Sequence, residues 1–221
     1  QKRLHHIKFK GAIFTNFSRD HLDYHGTMKS YLNAKLILFR KILSKKSTII
    51  SNDEIPTFKI LNQIAIKKNL RILNINKTFK KIKNIDLKFE EDFKIRNLAM
   101  AIEATKLCGL KEKLIFRSLK KLKDVNGRLE LIKKYPNDVK VFIDYAHTPD
   151  ALLEALKSLK NNYGNNISLV FGCGGERDQT KRPIMAKIAN DNCKKIYITD
   201  DNPRNEKPQK IRKDLSKNIS K

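Results

Sequence analysis

Cysteine is scarce in this sequence, and long apolar runs are absent from it. The 221 residues contain three cysteines, Cys108, Cys173 and Cys193, an odd number at wide spacing. Such a set argues against a disulfide framework or a zinc site and is typical of a reducing cytoplasm. No apolar run approaches the roughly 18 residues of a membrane span, and residues 1–6 are not followed by the apolar segment of a signal peptide. We therefore expect a cytoplasmic protein that has no membrane partner.

Acidic side chains are also few. The sequence has 23 Asp and Glu against 48 Lys and Arg, which gives a formal net charge of +25. Such an excess favours nucleic-acid binding, because clustered cations neutralise phosphates. The lysines, however, are scattered among Ile and Asn, as in 67–69 and 80–84, with no zinc-finger spacing or RNA-binding aromatic motif. We interpret the charge as surface composition with weak, unselective polyanion binding and no specific nucleic-acid partner. A basic nucleic-acid-binding module is the alternative.

Apolar residues make up 40% of the sequence, which is enough for packed cores, and the length allows one large domain or two small ones. Hydrophobic spacing and turn residues predict the elements of the first half. They are strands at 9–15, 47–51 and 70–75, a polar loop at 16–26, helices from Thr27 or Ser30 to Leu38 and at 57–67, 94–108 and 111–122, and a loop or weak hairpin at 76–92.

The pattern changes at residue 126, after which strands and helices alternate. The predicted strands are 139–144, 168–171 and 195–199, and the predicted helices are 149–160, 183–193 and 209–216. This alternation predicts an α/β domain with a parallel, Rossmann-like sheet. In such sheets, ligand-binding residues gather in the loops beyond the carboxyl ends of the strands. The loops 144–147, 172–175 and 200–204 are therefore expected to form the rim of an active site.

Three segments carry side chains that could bind a metal ion or a charged ligand. Segment 15–26 holds two His, two Asp and an Arg, a set that can bind a divalent ion or organise a phosphate-bearing ligand; alternatively, His21 and His25 only pack in the loop. Segment 171–178 is a glycine-rich turn before a helix, where backbone can approach an anion, although it is not a Walker A sequence. The alternative is a tight turn that needs positive φ.

Segment 200–204, Asp-Asp-Asn-Pro-Arg, suits a zwitterionic ligand. Carboxylate and amide oxygens accept from an ammonium group, and an arginine binds a carboxylate through two hydrogen bonds. The alternative is an ordinary turn before a helix.

Together these segments resemble the Mur ligases of peptidoglycan synthesis. Segment 15–26 with 33–35 is similar to the family's central-domain signature, and 126–130 is similar to its domain junction. Segments 144–152 and 171–178 with 181–183 are similar to its C-terminal domain. The resemblance implies residues 1–125 of a central, ATP-binding domain of the ATPase type and residues 126–221 of a C-terminal, amino-acid-binding domain.

The resemblance also implies a reaction. ATP phosphorylates the D-glutamate carboxylate of UDP-N-acetylmuramoyl-L-alanyl-D-glutamate, with Mg²⁺ neutralising the oxygens, and an incoming amine displaces phosphate from the acyl phosphate. The motif 201–204 is similar to that of members that add meso-diaminopimelate, whereas lysine-adding members carry a different residue at Arg204. A lysine-adding or folylpolyglutamate-type ligase is the alternative within the enzyme class.

Residue roles carry over from the family by position. His21 is implied as a Mg²⁺ ligand, and Lys35 matches the lysine that reacts with CO₂ to form a carbamate, an anionic oxygen donor. Asn97 is implied at adenine, although Lys94 stands where another Asn is common. Arg128 is implied at the ATP phosphates, and we assign it with His21 and Lys35 to catalysis.

The other implied roles concern the ribose and the acceptor amino acid. Asp144 is implied at the ribose of ATP. The residues implied to hold diaminopimelate, with the arginines on its carboxylates, are Arg177, Asp201, Asn202 and Arg204.

The sequence also departs from the family pattern. The P-loop Gly-x-x-Gly-Lys-Thr/Ser does not occur in these 221 residues, and neither does the family's uridine-nucleotide domain. Only 17 residues follow Arg204, so the resemblance also implies that the end of the C-terminal domain is missing. We expect the sequence to be a piece of a longer ligase that shows no ATP-dependent ligation by itself.

Overall fold

The computed structural model of the chain describes residues 7–87 and 91–220. The chain divides into two compact units. The first comprises residues 1–17 and 32–124, and the second comprises residues 18–31 and 125–221. The second unit therefore includes the polar segment 18–31 from early in the sequence. The domain boundary at 125/126 that the resemblance implies stays a proposal.

The first unit is built on a three-stranded parallel sheet in the order β1–β2–β3. Its strands are β1 (Gly11–Phe14), β2 (Thr48–Ser51) and β3 (Arg71–Asn74), and Ile13 lies opposite Ile50, which lies opposite Leu73. All four residues of β2 are buried, as expected of the central strand in a sheet that is covered on both faces.

Helices cover both faces of this sheet. In the first unit they are the C-terminal part of α2 (Met28–Ile37), α3 (Phe58–Lys68), α4 (Asn76–Lys83), α5 (Asp92–Leu107) and α6 (Glu112–Leu119). Because successive strand residues point to opposite faces, Ile49 packs in a cluster with Phe39 and Leu61, whereas Ile50 packs in another with Ile102. Burial of each apolar side chain of this size contributes about 1.5–3 kcal/mol to the free energy of folding.

Most predicted elements of the first unit are confirmed, and two differ. Helix α2 starts after Thr27, whose Oγ1 accepts from Ser30 N–H at 3.1 Å, and it continues beyond Leu38 as a π-helical segment, Leu38–Ile42. The prediction of a loop or hairpin over 76–92 is wrong, because α4 occupies 76–83; residues 88–90 lie outside the described part. Buried Thr78 and Ile82 form one face of α4, and lysines on the other faces obscured that pattern in the sequence.

The second unit combines a hairpin with a parallel strand pair. Strands β4 (Glu130–Lys134) and β5 (Lys140–Ile143) pair antiparallel, with an irregularity between Leu131 and Lys133. Strands β6 (Ser168–Phe171) and β7 (Lys195–Ile198) pair in parallel. The predicted parallel arrangement is confirmed for β6 and β7, whereas β5 pairs with a strand that the sequence analysis missed. The Lys-rich sequence of β4 lacks a clear alternation of apolar residues.

The helices of the second unit are α1 (Leu22–His25), the start of α2, α7 (Pro149–Tyr163), α8 (Lys181–Asn192) and α9 (Pro208–Ser216). Helix α7 begins as its sequence predicts, because Thr148 Oγ1 accepts from Ala151 N–H and Pro149 occupies the first turn. Leu156, Met185 and Leu215, from α7, α8 and α9, form the core on one face of β6 and β7. On the opposite face, Val170 and Tyr197 are neighbours in register and remain more than half exposed.

Candidate functional site

A polar cleft of about 700 Å³ lies in the second unit. It is lined by segment 18–31 and by the loops that follow β5, β6 and β7, as expected for the carboxyl ends of strands. Six of the predicted site residues line it: His21, Asp144, Arg177, Asp201, Asn202 and Arg204. The structure thus brings together the implied acceptor residues, one implied metal ligand and the implied ribose contact.

The glycine loop after β6 packs closely on the loop after β7. Gly175 N–H donates to Asn202 O at 2.9 Å, and a Cβ on Gly175 would lie 1.9 Å from Pro203 O. Arg204 reaches back across this contact, since its Nη1 donates to Gly175 O at 2.6 Å and stands 2.9 Å from where a Cβ on Gly174 would be. Glycine is therefore required here by the neighbouring loop. The three glycines of this segment, Gly172, Gly174 and Gly175, do not have a positive φ, so the need for a positive φ does not explain them.

Two crossed ion pairs join segment 18–31 to the glycine loop. Arg19 donates to both carboxylate oxygens of Asp178, from Nε at 2.9 Å and from Nη2 at 3.4 Å. Four residues along the segment, Asp23 Oδ2 lies 3.5 Å from Arg177 Nη1. Burial raises the pKa of Asp178, but hydrogen bonds from Arg19 and Thr180 outweigh it and hold that pKa below its usual value. Asp178 is therefore an anion at neutral pH.

Asp20 lies between two imidazole rings at the edge of the cleft. Its Oδ2 is 3.3 Å from His21 Nε2 and 3.6 Å from His147 Nε2. His21 also presents its ring edge-on to Tyr31, with centroids 5.7 Å apart, whereas His25 stacks on the same tyrosine at 5.1 Å. His21 therefore faces the cleft beside a carboxylate, and His25 packs against aromatic rings.

The junction before β4 is organised by Asp144. Its two carboxylate oxygens accept from Leu129 N–H and Ala146 N–H, both at 2.8 Å. Leu129 adopts a left-handed φ of 46°, a conformation unfavourable for a branched side chain, and the bond to Asp144 stabilises it. Arg128 precedes this residue and lies over the Tyr145 ring at 4.8 Å. Arg128 is exposed and is not among the residues that line the cleft, although Tyr145 is.

The remaining two predicted site residues belong to the first unit. Lys35 is exposed on α2, and Asn97 is exposed on α5. Ile95 and Ala99, which flank Asn97, are buried in the core, so helix geometry directs Asn97 away from it. Lys94, where the family often has another Asn, is held by Glu91 at 3.2 Å and Asp124 at 3.0 Å.

No cluster of three or more His, Cys, Asp or Glu side chains is arranged to hold a metal ion within residues 7–87 and 91–220. For the same residues, no helix has both the length and the apolar character needed to cross a membrane.

Sequence reasoning missed several residues of the cleft. Asp20, Asp23 and Asp178 stood within the motifs but received no role, and His147 likewise. The density of ionisable groups in 15–26 signalled a site. The partners of those groups lie more than a hundred residues away in sequence, as with Arg19 and Asp178, and no local pattern predicts which charges meet.

Two protein-family models match the chain. The model described as "Mur ligase middle domain" matches residues 1–109, and the model described as "Mur ligase, glutamate ligase domain" matches residues 127–221.

Curated relatives of high similarity are named UDP-N-acetylmuramoyl-L-alanyl-D-glutamate--2,6-diaminopimelate ligase. The protein of Rickettsia bellii (strain RML369-C) is 38% identical over 99% of this chain and 50% of its own length. The protein of Haemophilus influenzae (strain PittEE) is 36% identical over 97% of this chain and 49% of its own length. The chain thus spans about half the length of the curated relatives it matches.

Solved structures agree with this similarity. A structure of UDP-N-acetylmuramoyl-L-alanyl-D-glutamate--2,6-diaminopimelate ligase is 30% identical, with a TM-score of 0.54 over 99% of this chain and 49% of that one. MurF from Acinetobacter baumannii has a TM-score of 0.69 at 15% identity, over 96% of this chain and 50% of its own. The likeness to MurF is one of fold alone.

Proposed function

Because the chain belongs to the Mur ligase family, we propose that it forms the acceptor amino-acid site and part of the nucleotide site of an ATP-dependent ligase. The ligase adds meso-diaminopimelate to UDP-N-acetylmuramoyl-L-alanyl-D-glutamate in the cytoplasm, in peptidoglycan synthesis. In this reaction the D-glutamate carboxylate receives the γ-phosphoryl group of ATP. The amine of diaminopimelate then attacks the acyl carbon, and phosphate leaves with the bonding electrons.

The observation that carries the proposal is the convergence of Arg177, Asp201, Asn202 and Arg204 on one cleft. meso-Diaminopimelate has a carboxylate and an ammonium group at each end. The two guanidinium groups suit the carboxylates, and the oxygens of Asp201 and Asn202 suit an ammonium group. L-Lysine lacks the second carboxylate, so it would leave one of these arginines without its ligand.

Arg204 is arranged for this task. A guanidinium has five N–H donors, and the bond to Gly175 O uses one of them. The side chain is thereby anchored to the glycine loop while other donors remain for a ligand. An anchored arginine loses less side-chain freedom on binding than a mobile one, which favours affinity.

The nucleotide side of the site is proposed around Asp144, Arg128 and Asn97. Each oxygen of Asp144 already accepts from one backbone N–H and retains a further lone pair that can accept from a ribose hydroxyl. The bond from Leu129 N–H holds the backbone next to Arg128, so Asp144 also fixes the point of the backbone from which the Arg128 side chain extends. Arg128 would meet the phosphates, and Asn97 would meet adenine.

Magnesium is proposed at His21 and at a carbamate on Lys35. The donor set fits only a partial shell: one imidazole nitrogen and one carbamate oxygen supply two of the roughly six ligands that Mg²⁺ takes. When bound there, the ion would neutralise the crowded phosphoryl oxygens. Asp20, which lies 3.3 Å from His21 Nε2, orients the imidazole.

A chimera tests this function. In it, the chain replaces the matching half of the Rickettsia bellii relative, and product is measured by mass spectrometry with ATP, the UDP-linked dipeptide and meso-diaminopimelate. We expect ATP-dependent formation of the tripeptide product and of ADP. A folded chimera that binds ATP and the UDP substrate but forms no product, beside an active Rickettsia enzyme, would contradict the proposal.

A further inference from the structure

Arg182 lies on α8 in the second unit, and its charged side chain is almost completely buried, with 1% of its surface exposed. Its Nη2 donates to both carboxylate oxygens of Glu206, at 2.9 and 3.0 Å, and its Nη1 donates to Asp214 Oδ2 at 3.2 Å. Burial lowers the pKa of Arg182, but the two carboxylates outweigh it and raise that pKa, so the guanidinium stays charged.

Packing alone does not account for an arginine at this position. Desolvating a buried ion pair is costly, and apolar replacements of similar volume are often as stable or more so. Within the described residues, Nε of Arg182 is buried and has no hydrogen-bond partner, which adds to that cost. Burial energetics alone therefore give no reason for a charge at this position.

The two carboxylates that Arg182 binds contact different parts of the second unit. Glu206 Oε1 also accepts from Glu176 N–H at 2.6 Å, in the glycine loop, and Asn205 Nδ2 donates to Glu176 Oε1 at 2.7 Å. Asp214 lies on α9 and connects α8 to that helix. Only the Glu206 arm reaches a loop of the cleft.

The contact between Glu206 and Glu176 lies beside the acceptor residues. Glu176 stands between Gly175, which accepts from Arg204, and Arg177. It has a left-handed φ of 52°, and Arg204 has one of 50°. Such backbone persists only when surrounding contacts hold it. Loss of the Glu206 contact would relax the backbone on both sides of the Arg204–Gly175 bond.

We propose that Arg182 is a positioning residue for the acceptor site. Through Glu206 it holds the backbone of 174–177 and 203–206, so that the guanidinium groups of Arg177 and Arg204 present a preformed site for a ligand with two carboxylates. The identity of that ligand rests on the proposed function, whereas the positioning of the loops does not.

The chain offers a matched pair of variants for the test. Glu206→Gln and Asp214→Asn each keep the shape of the side chain and remove one negative charge from Arg182. Hydrogen exchange of the Glu176 amide is followed by NMR, meso-diaminopimelate binding by calorimetry, and stability by urea unfolding. Arg182→Lys, which keeps the charge but replaces the two nitrogens that donate separately to Glu206 and Asp214 by a single one, is measured in the same way.

We expect Glu206→Gln and Arg182→Lys to speed Glu176 exchange about tenfold and to weaken meso-diaminopimelate binding about tenfold. Asp214→Asn should change each by less than about twofold, even where it lowers stability as much. If Glu206→Gln does not fold, Arg182→Lys, which leaves Glu206 itself unchanged, is compared with Asp214→Asn in its place.

Equal effects of Glu206→Gln and Asp214→Asn on exchange would overturn the inference and leave Arg182 a purely structural residue. An unchanged Glu176 exchange rate in Glu206→Gln or in Arg182→Lys would do the same. If the unsubstituted chain does not bind meso-diaminopimelate but the exchange rates differ as expected, the positioning stands and the proposed ligand falls.

Discussion

Arg19 and Asp178 form a two-pronged ion pair across 159 residues of sequence, with Nε–Oδ2 at 2.9 Å and Nη2–Oδ1 at 3.4 Å. The pair holds the His-rich segment 18–31 on the loop that carries Arg177. Within the second unit, the implied metal ligand His21 and the implied acceptor residues are thereby placed around one cleft.

This pair should make stability depend on pH. The pKa of Asp178 is lowered in the folded chain, so its contribution is fully present above the unfolded value of about 3.9 and is lost as pH falls through the folded value. We expect Asp178→Asn to lower the free energy of unfolding by about 1.5–3 kcal/mol at pH 6. The difference from the unsubstituted chain should shrink as the pH is lowered from 4 to 2 in urea titrations.

Glu154→Gln is the matched control for that titration, because Glu154 forms an exposed pair with Lys157 at 3.3 Å. Exposed pairs of this kind contribute little. A stability difference for Asp178→Asn that is independent of pH, or no larger than that of Glu154→Gln, would disprove the role of the ion pair.

A methyl group in the glycine loop should disturb the acceptor site. In Gly175→Ala the new Cβ would meet Pro203 O at 1.9 Å, so the two loops must separate, at a cost of about 1–3 kcal/mol. We expect weaker binding of meso-diaminopimelate by calorimetry. Gly164→Ala is the control: it has a φ of 85° and no neighbour within 4 Å, so it strains the backbone without touching the cleft. Equal affinities of the two variants would refute the argument.

Substitution of Asp144 should lower stability more than substitution of an ordinary loop residue does. Asp144→Asn replaces one of the two accepting oxygens by an NH₂ group, which is a donor and cannot accept from a backbone N–H. Either Leu129 N–H or Ala146 N–H is then left unpaired, which lowers the free energy of unfolding by about 1–3 kcal/mol. We expect a lower urea midpoint for the chain and weaker ATP binding by the chimera described above. Asp138→Asn, in the exposed turn between β4 and β5, should change neither; parity between the two variants would count against the junction role.

Carbamylation of Lys35 can be observed directly. With ¹³C-labelled bicarbonate and Mg²⁺, we expect a carbamate resonance that disappears in Lys35→Arg, because a guanidinium does not add CO₂ to form this group. Lys29→Arg, on the same helix α2, should leave the resonance unchanged. A signal that survives Lys35→Arg would assign the carbamate elsewhere and remove Lys35 from the proposed metal site.

The sequence predicts most of this fold because the elements are marked locally. The β-branched run at 47–51 and the Thr148–Pro149 helix start each yield the element that the structure contains. The sequence does not predict helix α4, because its four lysines outnumber its two apolar residues, Phe79 and Ile82. It does not predict strand β4, because the two apolar residues there, Leu131 and Ile132, are adjacent and do not alternate with polar ones.

For the site, the sequence predicts which loops lie together but not which charged side chains pair. The predicted parallel sheet places the loops with Asp144, Arg177 and Arg204 at one edge. The structure pairs β6 with β7 in parallel and β5 with β4 antiparallel, and the three loops still line one cleft. The pairing of Arg19 with Asp178 and of Arg182 with Glu206 was not predictable, because many opposite charges of similar type compete along the chain. Packing in three dimensions, rather than local sequence, selects among them.

The most direct test of the central claim is calorimetric titration of meso-diaminopimelate and of L-lysine into the chain and into its Arg204→Ala variant. We predict saturable one-to-one binding in which meso-diaminopimelate is favoured by about tenfold or more, since its second carboxylate gains a charge-assisted contact. Arg204→Ala should abolish that preference. Equal or tighter binding of L-lysine to the unsubstituted chain, or a preference that persists in Arg204→Ala, would contradict the account.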